Sequence, residues 1–194
     1  LWTMLAPQLS ASEIEQALRI VGRYRDDDAR VAATLNLIVG APPRRRREVL
    51  DTLLAQAQAI SDRTARSVAL GRLAPHLARA GRSQAALDAI GRMRRGYSEL
   101  GRVLAAIAPY LDLQQVQAAL ELARRLPRAE PRHDALLGLL PRLAGIGQLE
   151  SARELAAEWP GEQQAALLVE LLPHASEAIR ERLFEDAMTA LDQL

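Results

Sequence analysis

Apolar residues along this chain fall in stripes spaced three and four apart, and the stripes themselves recur. The recurrence is anchored on Leu5-Ala6-Pro7, Leu73-Ala74-Pro75, Ile107-Ala108-Pro109, Leu139-Leu140-Pro141 and Leu171-Leu172-Pro173, with Leu37-Ile38-Val39 as a version without proline. The anchors Pro7, Val39, Pro75, Pro109, Pro141 and Pro173 are therefore separated by 32, 36, 34, 32 and 32 residues. Ahead of the anchor, Ala69, Leu70, Leu73 and Ala74 in one repeat match Val103, Leu104, Ile107 and Ala108 in the next. That spacing is a helix stripe. It continues two residues past the anchor at Leu9, Ala41, Leu77, Leu111 and Leu143, so the first helix runs through or just past the proline, with a kink where the backbone donor is missing. A second stripe follows eleven and fourteen residues after the anchor: Leu18 and Val21, Leu50 and Leu53, Ala86 and Ala89, Leu120 and Ala123, Ala152 and Leu155, Phe184 and Ala187.

These stripes predict first helices near 28–40, 63–79, 98–111, 132–144 and 162–174. Second helices fall near 12–24, 44–60, 82–94, 114–126, 148–158 and 177–192. Gly81, Asp112 and Gly145-Ile146-Gly147 mark turns within pairs, while Gly96, Pro127 to Pro131 and Pro160-Gly161 separate one pair from the next. A period of 32 to 36 residues with two helices per period is that of helix-pair arrays. The expected fold is all-α: one right-handed α-solenoid of antiparallel helix pairs over residues 1–194, about five pairs with a partial sixth. The N-terminal repeat holds only the end of its first helix, so Leu1, Trp2 and Leu5 read as an edge cut into a longer array.

Composition agrees with that expectation. Hydrophobic residues make up 49% of the chain and aromatics 3%, so the core is filled by Leu, Ala, Ile and Val, which suit closely spaced helices. All 25 basic residues are Arg, a usage that reads as coding bias more simply than as a device for binding anions. Residues 1–97 hold 16 Arg against 9 acids, a net +7, and residues 98–194 hold 9 against 15, a net −6. In a linear array such a gradient makes one end basic and the other acidic. There is no cysteine, hence neither disulfide nor thiolate metal site, which fits a reducing compartment. No signal peptide is visible, and the apolar runs near Val31 to Val39 and Ala165 to Val169 fall short of the ~20 residues that cross a bilayer. A cytoplasmic location without membrane contact is expected.

The phrase Arg66-Ser67-Val68-Ala69-Leu70-Gly71-Arg72-Leu73-Ala74-Pro75-His76-Leu77, followed by Gly81 and Ala85-Ala86-Leu87, resembles the tetratricopeptide and HEAT-like repeats of large bacterial signalling ATPases, the signal-transduction ATPases with numerous domains. The resemblance covers nearly the whole chain and implies a sensor or autoinhibitory arm beside a nucleotide switch. No Walker A loop with its Lys occurs here, so such a module would lie outside this chain. The Trp and Tyr of a first tetratricopeptide helix are missing, and the choice between the two repeat classes stays open.

Candidate chemistry is sparse. The residues just after each anchor, Gln8, Gly40, His76, Tyr110, Arg142 and His174, form a polar ladder in otherwise apolar helix ends. Equivalent positions line one face of an array, so His76, Tyr110, Arg142 and His174 are candidates for contacting a protein or peptide. Helices ~8–10 Å apart keep His76 and His174 from sharing one metal ion. Arg44-Arg45-Arg46-Arg47 opens a helix after Pro42-Pro43, against the helix dipole, and needs offsetting by Glu48, Asp51 or Asp26 to Asp28. It is a candidate anion site, for a phosphate-bearing ligand or a nucleic acid, although the acidic second half argues against nucleic acid. Glu150 with Glu154 and Glu177 with Glu181 lie one turn apart beside Arg153, Arg180 and Arg182, as on an exposed charged face. No nucleophile triad, metalloprotease motif or phosphate loop is present, so neither catalysis nor a cofactor is expected. Trp159, Tyr24 and Tyr97 sit at helix ends, placed to fill joints between repeats or to anchor a peptide. The expected function is a non-enzymatic scaffold for protein interaction or ligand sensing within a larger bacterial signalling protein. Anion or nucleic-acid binding at Arg44 to Arg47 and salt-sensitive self-assembly are the alternatives.

Overall fold

The computed structural model describes residues 8–38, 41–94 and 98–192. The anchors Pro7 and Val39, the edge residues Leu1, Trp2 and Leu5, and Gly40, Gly96 and Tyr97 lie outside the described residues. Among the described residues the secondary structure is helical throughout: eleven α-helices and two short 3-10 turns. The chain forms two compact units, Leu1–Tyr97 and Ser98–Leu194, so the boundary falls where the net charge changes sign.

In the N-terminal unit the helices are α1 (Ala11–Val21), α2 (Asp27–Ile38), α3 (Pro43–Ala59), α4 (Arg63–Arg79) and α5 (Ser83–Gly91). The first helices of repeats 2 and 3, α2 and α4, pack against each other, and α3 packs on α4 of the following repeat. Leu70, Leu73, Ala74 and Leu77 of α4 are buried, the stripe the anchor spacing predicts. Burying each leucine contributes about 1.5–3 kcal/mol. Ser67, a buried polar residue on the same helix, donates to the carbonyl of Arg63 at 2.9 Å and accepts from the backbone N–H of Arg94 at 2.8 Å. One hydroxyl thus ties α4 to the chain beyond α5.

The C-terminal unit holds α6 (Leu100–Ile107), α7 (Leu113–Arg124), α8 (Ala129–Gly145), α9 (Leu149–Ala157), α10 (Gly161–Leu171) and α11 (Glu177–Asp192). First helices again pack side by side, α6 on α8 and α8 on α10, while α7 packs on α8 and α9 on α10. Arg102 and Asp134, each seven residues before its anchor, face each other at 3.5 Å across α6 and α8. Gly101 and Gly138 let those two backbones meet. A Cβ on Gly101 would overlap the carbonyl of Pro131, and one on Gly138 would lie 2.5 Å from the Cα of Ala105.

The prolines do not act alike. Pro75 and Pro141 sit inside α4 and α8, which continue past them, whereas Pro109 and Pro173 sit in the 3-10 turns Ala108–Tyr110 and Leu172–His174 that end the first helix. The difference follows from the residue six places after the anchor. Gly81 and Gly147 are there in the repeats of Pro75 and Pro141, with φ of 77° and 89°, a left-handed conformation glycine adopts without penalty. Each is followed by a six-to-one bond, Arg82 N–H to Leu77 and Gln148 N–H to Leu143, which closes the helix end. Repeats with no glycine there turn at once. Leu111 N–H bonds Ala108 and Ala175 N–H bonds Leu172, and Asp112 then caps α7 through a capping box with Gln115.

The second stripe is buried as expected at Val21, Leu50, Leu53, Ala86, Ala89, Leu120, Ala123, Ala152 and Ala187. Leu18 and Leu155 are half-buried, and Phe184 departs from it. Phe184 is 57% exposed, because α11 packs on α10 with Leu183, Ala187 and Ala190 buried and no described helix covers its other side.

Candidate functional site

Of the ladder, the structure brings two members together. Arg142 and His174 line a cavity of about 260 Å³ in the C-terminal unit, with Pro109, Pro141, Gly138 and Gly145 as the remaining wall. The site follows from the repeat, because Pro109 and Pro141 are anchors while Arg142 and His174 each stand one place after an anchor. Three successive repeats contribute equivalent positions to one wall. Gly145 presents no side chain, and a Cβ there would come within 3.4 Å of the His174 ring. Arg142 is held by its Nε, which donates to the carbonyl of Leu111 at 2.7 Å. Its two terminal nitrogens carry no partner among the described residues, and His174 is exposed beside it. A guanidinium and an imidazole over apolar prolines suit a carboxylate or a peptide carbonyl. Tyr110 is 39% exposed, next to Pro109 but outside the lining.

His76 belongs to the N-terminal unit and is half-buried. Burial pushes its pKa below the ordinary 6.5, and the Arg79 and Arg46 cations push in the same direction. Gln8 is exposed at the start of the described residues.

The arginine run fans out around α3, since consecutive helix positions do not face each other. Arg44 pairs with Glu48 at 3.5 Å. Arg45 forks onto Glu15 of α1, with Nη2 donating to Oε2 at 2.9 Å, and Nη1 donates to Glu48 at 3.1 Å. Its buried Nε sits 2.6 Å from Glu15 Oε1, off the line of a hydrogen bond, so that contact is Coulombic. Arg46 turns back to the end of α2, where Nε donates to the carbonyl of Ile38 and Nη2 to that of Ala41. Glu48 and Glu15 therefore supply the offset this helix start requires, and three of the four guanidiniums are engaged. A cavity of about 300 Å³ opens beside Arg45, lined also by Arg30, Thr34, Val49 and Gln56.

Arg46 has a twin that the sequence reading missed. Arg180, like Arg46, stands seven residues after its anchor and donates to the carbonyls at the same two places, Leu172 and Ala175. Repeat 4 has Val116 there, and its Leu111 carbonyl is taken instead by Arg142 of the next repeat. Arg30 and Arg66, nine residues before their anchors, likewise donate to Tyr24 and Ile60 at the end of the preceding helix. Comparing arginines by distance from the anchor was the signal available.

Trp159 packs on His133, ring centroids 5.4 Å apart and tilted by 60°, while His133 Nε2 donates to the carbonyl of Gln163 at 3.1 Å. With Leu120, Leu136 and Leu155 it lines a small cleft of about 100 Å³ among α7, α8 and α9. Glu150 pairs with Arg153, which also reaches Asp186 of α11. Glu154, Glu177 and Glu181 are exposed. Among the described residues no cluster of His, Asp or Glu could hold a metal ion, and no helix is long and apolar enough to cross a membrane.

Fold and site together define a protein that is all-helical among its described residues, with a small proline-walled cleft bearing Arg142 and His174. No protein-family model matches the chain, and neither a curated protein nor a solved structure matches it.

Proposed function

We propose that this chain is a non-enzymatic scaffold, a right-handed α-solenoid that recognises a protein or peptide through the cleft at Arg142 and His174, as an interaction or sensing arm of a larger cytoplasmic bacterial signalling protein. The observation that carries the reading is that cleft, where ladder positions of successive repeats converge on one cavity. Stacking of equivalent first helices within each unit supports the array, since arrays couple each repeat to its neighbours. The arginine offers a point of charge to a ligand carboxylate, and the proline wall offers apolar contact. Selection of a random peptide library on the whole chain tests this. Peptides bearing a carboxylate are expected to dominate and to lose at least about tenfold in affinity, or ~1.4 kcal/mol, on Arg142→Ala with His174→Ala. Equal binding by the double variant would remove the cleft from consideration.

A further inference from the structure

Helix α11 carries an apolar face that no described residue of its own unit covers. Phe184, Met188 and Leu191 follow one another at helical spacing on α11 and are 57%, 46% and 38% exposed. Phe184 stands eleven residues after its anchor. At that place Leu50, Leu120 and Ala152 are buried, on second helices that pack against the following first helix. The outer face of α11 is therefore apolar and uncovered among the described residues.

Charge indicates what fits it. On α11, Arg180 is tied to the carbonyls of Leu172 and Ala175 and Asp186 is paired with Arg153. Glu177, Glu181, Glu185 and Asp192 have no partner among the described residues, against one free cation, Arg182. A second α11 would set acids against acids. At the other terminus the balance is reversed. Ile20 on α1 is 54% exposed, and Arg19 and Arg23 beside it have no partner among the described residues. The acids of α1 are already engaged, Glu13 in a capping box with Ser10 and Glu15 with Arg45.

We infer that the open face of α11 docks a second copy of this chain, at the arginine-flanked Ile20 face of that copy's α1. The two surfaces are different, so the contact is heterologous and joins copies in series or into a closed ring. It joins a unit of net −6 to one of net +7.

Sedimentation velocity on the whole chain tests the inference. At about 20 mM salt, where charges act over ~20–30 Å, the mass is expected to rise with concentration above the 21.3 kDa of one chain, and to return to it at about 0.5 M salt. The double variants Phe184→Glu with Met188→Glu, and Arg19→Glu with Arg23→Glu, are each expected to stay monomeric. Mixed, they retain one working end apiece and are expected to form a pair of twice 21.3 kDa that grows no further. Formation of that pair also shows that both variants are folded. A monomer at every concentration, association that survives high salt or both pairs of substitutions, or a mixture that stays monomeric would each overturn the inference.

Discussion

His76 is where one residue's surroundings become a property of the fold. Its neutral form is favoured in the folded chain by burial and by Arg79 and Arg46, so its folded pKa lies below the ordinary 6.5 it regains on unfolding. Above both values the imidazole is neutral in either state. As pH falls through 6.5 the unfolded chain takes up a proton that the folded chain resists, and stability is lost until the lower, folded value has been passed. The urea midpoint should therefore drop between about pH 7.5 and about pH 5.5, and drop less in His76→Gln. A pH dependence unchanged by the substitution would place its origin elsewhere. His76 was legible as a ladder member, but its surroundings were not, because Arg46 lies thirty positions away in sequence. The same holds for Arg142. Its position after Pro141 marked it, yet its bond to the Leu111 carbonyl depends on the neighbouring repeat's having a 3-10 turn there.

Helices were the most legible level. Counting the 3-10 turns, the predicted spans agree with the structure to within three residues wherever their ends fall on described residues, because a Leu and Ala stripe of helical period admits few other readings. What the stripe conceals is how near a neighbouring backbone comes. Gly101 and Gly138 look like defects in α6 and α8, yet they are the points where those helices touch, against Pro131 and Ala105. Gly101→Ala and Gly138→Ala should each destabilise by about 1–3 kcal/mol, since the contacting atoms are backbone and cannot swing away. Gly91→Ala, where an added Cβ meets nothing within 4 Å, should be neutral or stabilising by up to ~1 kcal/mol. Urea midpoints of the three variants compare them directly, and equal losses would discount the close approach. The proline alignment was likewise blind to turn type, because Pro75 and Pro109 share a register while Gly81 and Asp112 close their turns in different ways.

At the scale of the molecule, the change of charge sign at residue 97 was visible in the sequence, and the structure adds that a boundary between compact units falls at the same place. The exposed face of α11 was not visible, because Phe184 satisfies the stripe as well as Leu50 or Leu120 does, and only packing shows that no described residue lies over it. A proposed array and a single cooperative globule differ in how far a local injury travels. In an array each repeat is stabilised by its neighbours alone, so the loss should fade over one or two repeats. Gly138→Ala strikes the contact of α6 with α8. Native-state hydrogen exchange should then speed up by about tenfold or more in α6 and α8 for each ~1.4 kcal/mol lost, less in α10, and not measurably in α2 and α4. Uniform acceleration through all these helices would mean that the molecule opens as one body, and the solenoid reading would fall with it.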